Sequence, residues 1–136
     1  MTRINVVPVE ELSDQWLRAE YRELPRCIKQ NINTDNAPKK YCLGKGHMKW
    51  AKHHTIFLLV RYRDICAEME YRGYKCSFSP YSLFELSFYS VKKKDDNCYL
   101  VLDDDIELNR QRLIERYREN PKAHRWTKRN KPEWLQ

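Results

Sequence analysis

No apolar run in this sequence is long enough to cross a bilayer. The longest, Ile56 to Val60, falls far short of the roughly 20 residues a spanning helix needs. Also missing is the basic-then-apolar layout of a signal peptide, because Arg3 is followed by Glu10, Glu11 and Asp14. A cytoplasmic protein with no membrane partner is expected. Glycine is scarce, with only three in 136 residues. Two of them flank Lys45 in Gly44-Lys45-Gly46-His47, which lacks the spacing and the Lys-Ser/Thr pair of a nucleotide-binding phosphate loop. That segment reads as a turn, near a ligand or purely structural. The five cysteines (Cys27, Cys42, Cys66, Cys76 and Cys98) are scattered, and no two have Cys-x-x-Cys spacing. Neither a disulfide framework nor a zinc knuckle is indicated. Cys42, His47, His53 and His54 match no common zinc spacing either. Reduced thiols, no metal and no cofactor are expected.

Positive charge is abundant. Lys and Arg number 26 against 19 Asp and Glu, a formal net charge of +7, which favours polyanionic partners through counterion release. At 41% hydrophobic and 33% charged residues, the composition is that of a folded chain. The length suits one compact domain spanning 1–136, expected to be a monomer.

The patterning predicts an all-α fold, three main helices joined by long irregular loops. The first helix should begin near Ser13, or a turn earlier at Glu10, and run to about Lys29, with acidic residues at the start where the helix dipole favours them. Pro25 should kink it. Leu17, Tyr21, Leu24 and Ile28 form one stripe; Gln15, Arg18, Arg22, Arg26 and Lys29 fall on another sector, with Glu23 at its edge. Residues 30–51 read as loop. A second helix is expected over about 52–72, with Leu58, Leu59, Tyr62, Ile65, Cys66 and Met69 facing the core and Gly73 as its stop. Residues 74–102 are ambiguous, with Leu83 to Tyr89 and Cys98 to Leu102 readable as short strands or irregular segments. A third helix should run from Asp103–Asp105 to about Glu119, before Pro121. Its inward face would carry Ile106, Leu113, Ile114 and Tyr117, and its flanks Arg110, Arg112, Arg116 and Arg118.

Two residues could carry chemistry. Thr2 is small, so loss of Met1 would expose its α-amine, whose ordinary pKa of about 7.7–8.0 leaves a neutral fraction at physiological pH. Neighbouring arginines would enlarge that fraction. A neutral amine can attack an electrophilic sugar carbon and form an imine. Glu23, beside Arg22 and Arg26, could stabilise positive charge on a sugar ring and then move a proton. Taken alone, each feature has a bland reading: an ordinary N-terminus and a surface ion pair.

The two readings separate on the wider pattern: Thr2-Arg3-Ile4-Asn5, then Glu11-Leu12-x-Asp14-Gln15, then Ala19-Glu20-Tyr21-Arg22-Glu23-Leu24-Pro25-Arg26. It closely resembles the N-terminal signature of the phage-type pyrimidine-dimer DNA glycosylases, the phage endonuclease V type. Leu43-Gly44-Lys45-Gly46-His47, Arg72-Gly73-Tyr74 and Arg112-Leu113 with Arg116 extend the resemblance along most of the chain. It implies a DNA repair enzyme, of viral or bacterial origin, without metal or cofactor, acting on double-stranded DNA that carries ultraviolet photoproducts. Thr2 would attack the anomeric carbon of the 5′ nucleotide, the glycosidic bond would break, and β-elimination from the resulting imine would nick the strand. Glu23 would be the catalytic carboxylate. Arg3, Arg22 and Arg26 would hold the lesion and its phosphates, Gln15 would share that DNA-facing stripe, and Arg112 and Arg116 would reach further phosphates.

Departures from the family pattern occur at Trp16, where relatives carry His, and in Trp50-Ala51-Lys52-His53-His54 after the His47 motif. Trp16 would exchange a polar DNA contact for stacking or packing. The tail tryptophans, Trp126 and Trp134, more commonly close a core than stack on bases. Lys92-Lys93-Lys94 before Asp95-Asp96 reads as a solvated loop. Two alternatives stay open: a lyase or glycosylase for abasic sites or other damaged bases, and a non-catalytic basic DNA-binding protein.

Overall fold

The computed structural model describes residues 4–76, 85 and 95–135. It is helical, with no strand among the described residues. Helix α1 spans Asp14–Lys29, α2 His47–His53, α3 Thr55–Tyr71 and α4 Asp103–Glu119. Short 3-10 turns occupy Val9–Glu11, Pro121–Ala123 and Glu133–Leu135.

Helix α1 starts at its expected Ser cap: Ser13 Oγ accepts from the Trp16 amide at 3.2 Å, satisfying one of the orphan donors of the first turn. It runs on through Pro25 to Lys29. The second helix differs from expectation in being two. His54, at φ −121° and ψ 53°, breaks the path, and the first piece reaches back into residues expected to be loop. Gly46 explains the early start. Its φ of +91° turns the chain into α2, and a side chain there would approach Pro38 at 3.0 Å. Gly44-Lys45-Gly46 is thus a helix-entry turn. Helix α3 ends at Gly73 as expected, with φ +93° and the Tyr74 amide bonded to the Met69 carbonyl at 2.9 Å. Residues 98–102 are irregular rather than a strand; the segment 83–89 lies outside the described residues apart from Glu85. Helix α4 keeps its expected bounds.

Helices α1 and α3 pack on each other. Leu17, Leu24 and Ile28 meet the buried face of α3, formed by Leu58, Tyr62, Ile65, Cys66 and Met69; Leu59 is only half-buried. Each fully buried Leu or Ile contributes on the order of 1.5–3 kcal/mol. Trp50, from α2, is completely buried among Tyr41, His47, His54, Phe57 and Tyr99. Trp16 packs rather than projecting: its ring lies 4.4 Å from that of His124 and 6.4 Å from that of Trp126. Both tail tryptophans also close the core, their indole N–H groups donating to the Glu11 carbonyl and carboxylate, each at 2.9 Å. All five cysteines are free thiols, Cys27 and Cys66 buried and Cys98 exposed.

A buried ionic knot fastens the end of α3 to the start of α1 and to the tail. Arg72 donates to Asp14 at 2.9 Å and Glu68 at 2.8 Å; Thr127 and Tyr74 also donate to Asp14, and Arg129 to Glu68. Burial pushes the pKa of both carboxylates up, but the hydrogen bonds from Thr127, Arg72 and Tyr74 at Asp14, and from Arg129 and Arg72 at Glu68, outweigh it and hold both below the ordinary range. A carboxylate with a lowered folded pKa stabilises the fold above its unfolded value and stops doing so as pH falls through the folded one. Thermal stability is therefore expected to stay level down to about pH 5 and to fall steadily below about pH 4. Melting curves across this range for the native protein, Asp14→Asn and Glu68→Gln test this; an acid limb equally steep in all three would contradict it.

Candidate active site

The first described residues are tied down one by one. The Ile4 amide donates to His47 Nε2 at 3.1 Å, and its carbonyl accepts from the Tyr41 hydroxyl at 2.9 Å. His47 Nδ1 lies 2.7 Å from the Cys42 carbonyl, which fixes the ring as the Nδ1–H tautomer and leaves Nε2 as the acceptor for Ile4. With both ring nitrogens so engaged, His47 is spoken for as a structural residue. Asn5 Nδ2 donates to Glu20 Oε1 at 2.9 Å, and Asn5 Oδ1 accepts from Asn109 Nδ2 at 2.8 Å. Asn109 Oδ1 takes the amides of Val6 and Val7, at 2.8 and 3.1 Å. Arg61 completes the frame, donating to both oxygens of Glu20 at 2.7 and 3.2 Å and to the Val7 carbonyl at 2.6 Å. Glu20, Arg61 and Asn109 are all buried, so each polar group here needs the others. The segment is built into the core from Ile4 onward.

The frame holds the segment against α1. Glu20 lies one turn before Glu23. One turn after it lies Cys27, whose Sγ is 3.9 Å from Met48 Sδ, next in sequence to the His47 that holds Ile4. Glu23 itself is partly exposed and pairs with Arg26 at 3.2 Å. Glu23, Arg26, Lys29 and Gln30 line a shallow open depression of about 520 Å³. Arg22 and Arg26 project into solvent, as the arginine sector of the wheel predicts.

The remaining expected site residues divide into two groups. Gln15 is half-buried, and its Oε1 accepts from the Arg125 amide at 3.1 Å, so the tail holds it at the near end of the same helix face. On α4, Arg112 and Arg116 are half-buried one turn apart. Arg112 pairs loosely with Glu115 at 3.6 Å, and the Nε atoms of both arginines are buried without a hydrogen-bond partner among the described residues. Thr2 and Arg3 lie outside the described residues.

Sequence patterning gave no notice of Glu20, Arg61, Asn109 or Tyr41 as positioning groups. The one available signal was polar residues on otherwise apolar helix faces, since Arg61 follows Leu58 by three positions and Asn109 precedes Leu113 by four.

Residues 1–79 match the family model described as pyrimidine dimer DNA glycosylase. The chain belongs to that family. As a pyrimidine dimer DNA glycosylase it is a DNA repair enzyme with DNA as its substrate. The matched span includes Asn5, Glu20, Glu23, His47 and Arg61, which form the N-terminal frame and the carboxylate beside it; Asn109, Arg112 and Arg116 fall beyond it. No helix among the described residues is long and apolar enough to cross a membrane.

Proposed function

We propose that this glycosylase is bifunctional and uses the α-amine of Thr2 as its nucleophile. The amine attacks C1′ of the 5′ nucleotide of a pyrimidine dimer as the base departs, giving an imine between protein and sugar. Glu23 stabilises the positive charge that develops on the ring, then takes a proton from C2′. The bond from C3′ to its phosphate oxygen breaks in that elimination, and the strand is nicked. Release of the enzyme by water hydrolyses the imine and restores the amine.

One observation carries this reading: Asn5 is held on Glu20, one helical turn from Glu23, by a hydrogen bond of 2.9 Å. From Asn5 back to Thr2 is three residues of chain, a reach of at most about 11 Å, or about two turns of helix at roughly 5.4 Å each. That reach permits a nucleophile at Thr2 and the Glu23 carboxylate to meet on one sugar. The rigid frame behind it supplies orientation in advance, which a catalytic backbone amine otherwise lacks. Arg3, Arg22 and Arg26 are assigned to the lesion and its flanking phosphates, with Gln15 on the same face. Arg112 and Arg116, half-buried one turn apart on α4, are assigned to phosphates further along.

Nicking of supercoiled plasmid tests the reading. Ultraviolet-irradiated and depurinated plasmid should both be converted to open circles while untreated plasmid stays intact. Nicking of depurinated plasmid alone would replace dimer excision with an abasic-site lyase. Alkali-labile sites in irradiated plasmid without enzymatic nicking would leave a glycosylase that lacks lyase activity; binding with neither would leave only a DNA-binding role.

A further inference from the structure

We propose that His53, His54 and Asp96 form a binding site for a divalent transition metal of the zinc class, at the junction of α2 and α3. Their ligating atoms all lie within 4.8 Å of one another. Nothing in the chemistry assigned to Thr2 and Glu23 uses these residues.

The ring orientations favour this over a chance cluster. Metal-binding histidines characteristically donate their second ring N–H to a carboxylate or backbone carbonyl, which fixes the tautomer and aims the other nitrogen. Both patterns are present. His53 Nδ1 lies 3.1 Å from Asp95 Oδ1, and His54 Nδ1 lies 2.8 Å from the Trp50 carbonyl. Each bond leaves Nε2 as the free lone pair, and the two rings stand edge to face with centroids 4.7 Å apart. His53 Nε2 is buried and has no hydrogen-bond partner among the described residues. Asp96 Oδ2 sits 3.6 Å from it. Zinc–ligand bonds of about 2.0–2.1 Å put tetrahedral ligands roughly 3.3 Å apart, so the widest separation in the group must close by up to about 1.5 Å on binding. The Asp96 carboxylate is 64% exposed and free to swing in.

The donor set selects the metal. Two imidazoles and one carboxylate suit zinc and its neighbours, whereas calcium and magnesium require mainly oxygen. Water would complete the coordination. The site would act as a clamp. Asp95 also accepts from Thr34 Oγ1 at 2.8 Å, and Asn97 exchanges backbone bonds with His53 and Phe57 at 2.9 and 3.0 Å. A metal here ties residues 95–97 to the α2–α3 junction.

The rival is a plain imidazolium, His53 protonated between Asp95 and Asp96. Zinc titration of the intact protein, followed by nitrogen NMR of its four histidine rings, separates the two. One equivalent should move the Nε2 signals of His53 and His54 and leave those of His47 and His124 in place, with a rise in melting temperature. Asp96→Asn, at an exposed position, and His53→Gln should each weaken zinc at least about tenfold. Unmoved His53 and His54 signals, or affinity unchanged in both variants, would overturn the proposal and assign any bound zinc to the thiols.

Discussion

Glu23→Gln is expected to slow base release from a dimer-containing duplex by about 10²-fold or more, while leaving the dissociation constant for that duplex nearly unchanged. The substitution keeps size and shape and removes only the charge and the proton-accepting ability. Its structural cost should be small, because among the described residues the ion pair lost is that with Arg26 on a partly exposed surface, and such pairs contribute about 0–1 kcal/mol. Removing a negative charge from a depression also lined by Arg26 and Lys29 cannot weaken binding to a polyanion electrostatically. Single-turnover cleavage and fluorescence anisotropy on the same duplex measure the two quantities separately. If binding and cleavage fall together, Glu23 is a DNA-holding residue and its catalytic assignment fails.

A larger loss should follow from blocking the N-terminus. Retaining Met1, or acetylating Thr2, turns the proposed nucleophile into an amide whose lone pair is delocalised and cannot form an imine. Glycosylase and lyase activity should both fall to background. The described anchoring bonds begin at Ile4, so the melting temperature should change little. Matched preparations that begin at Met1, at Thr2, and at acetylated Thr2 provide the test. Comparable activity in all three would rule out the amine as nucleophile. Loss of folding in the blocked forms would instead show the terminus to be structural.

What could be read from the sequence follows the range of the interactions involved. Helices α1 and α4 came out with nearly their observed ends because their signals are local: an acidic first turn, a capping Ser13, and Pro121 beyond Glu119. The break at His54 was hidden, since Lys52 to Arg72 keeps a helical period across it and the interruption depends on a backbone turn that periodicity does not register. Gly46 was legible as a turn but not as the entry to a helix, because its fit against Pro38 is tertiary. The arginine sector of α1 was visible, being a property of one helix. The frame behind the candidate site was not. Asn109 meets Val6 and Val7 more than a hundred positions away, and Glu20 meets Arg61 across two helices. A single sequence gives such pairs no spacing to detect. The same limit applies to the metal cluster, where the adjacent histidines were plain but Asp96 joins them only through the fold.

Borohydride trapping addresses the central claim most directly. Incubating protein that starts at Thr2 with a dimer-containing duplex and borohydride should yield a stable protein–DNA adduct. Peptide mass spectrometry should then place the reduced sugar on the α-nitrogen of Thr2. No adduct, or an adduct carried by a lysine side chain, would contradict the mechanism.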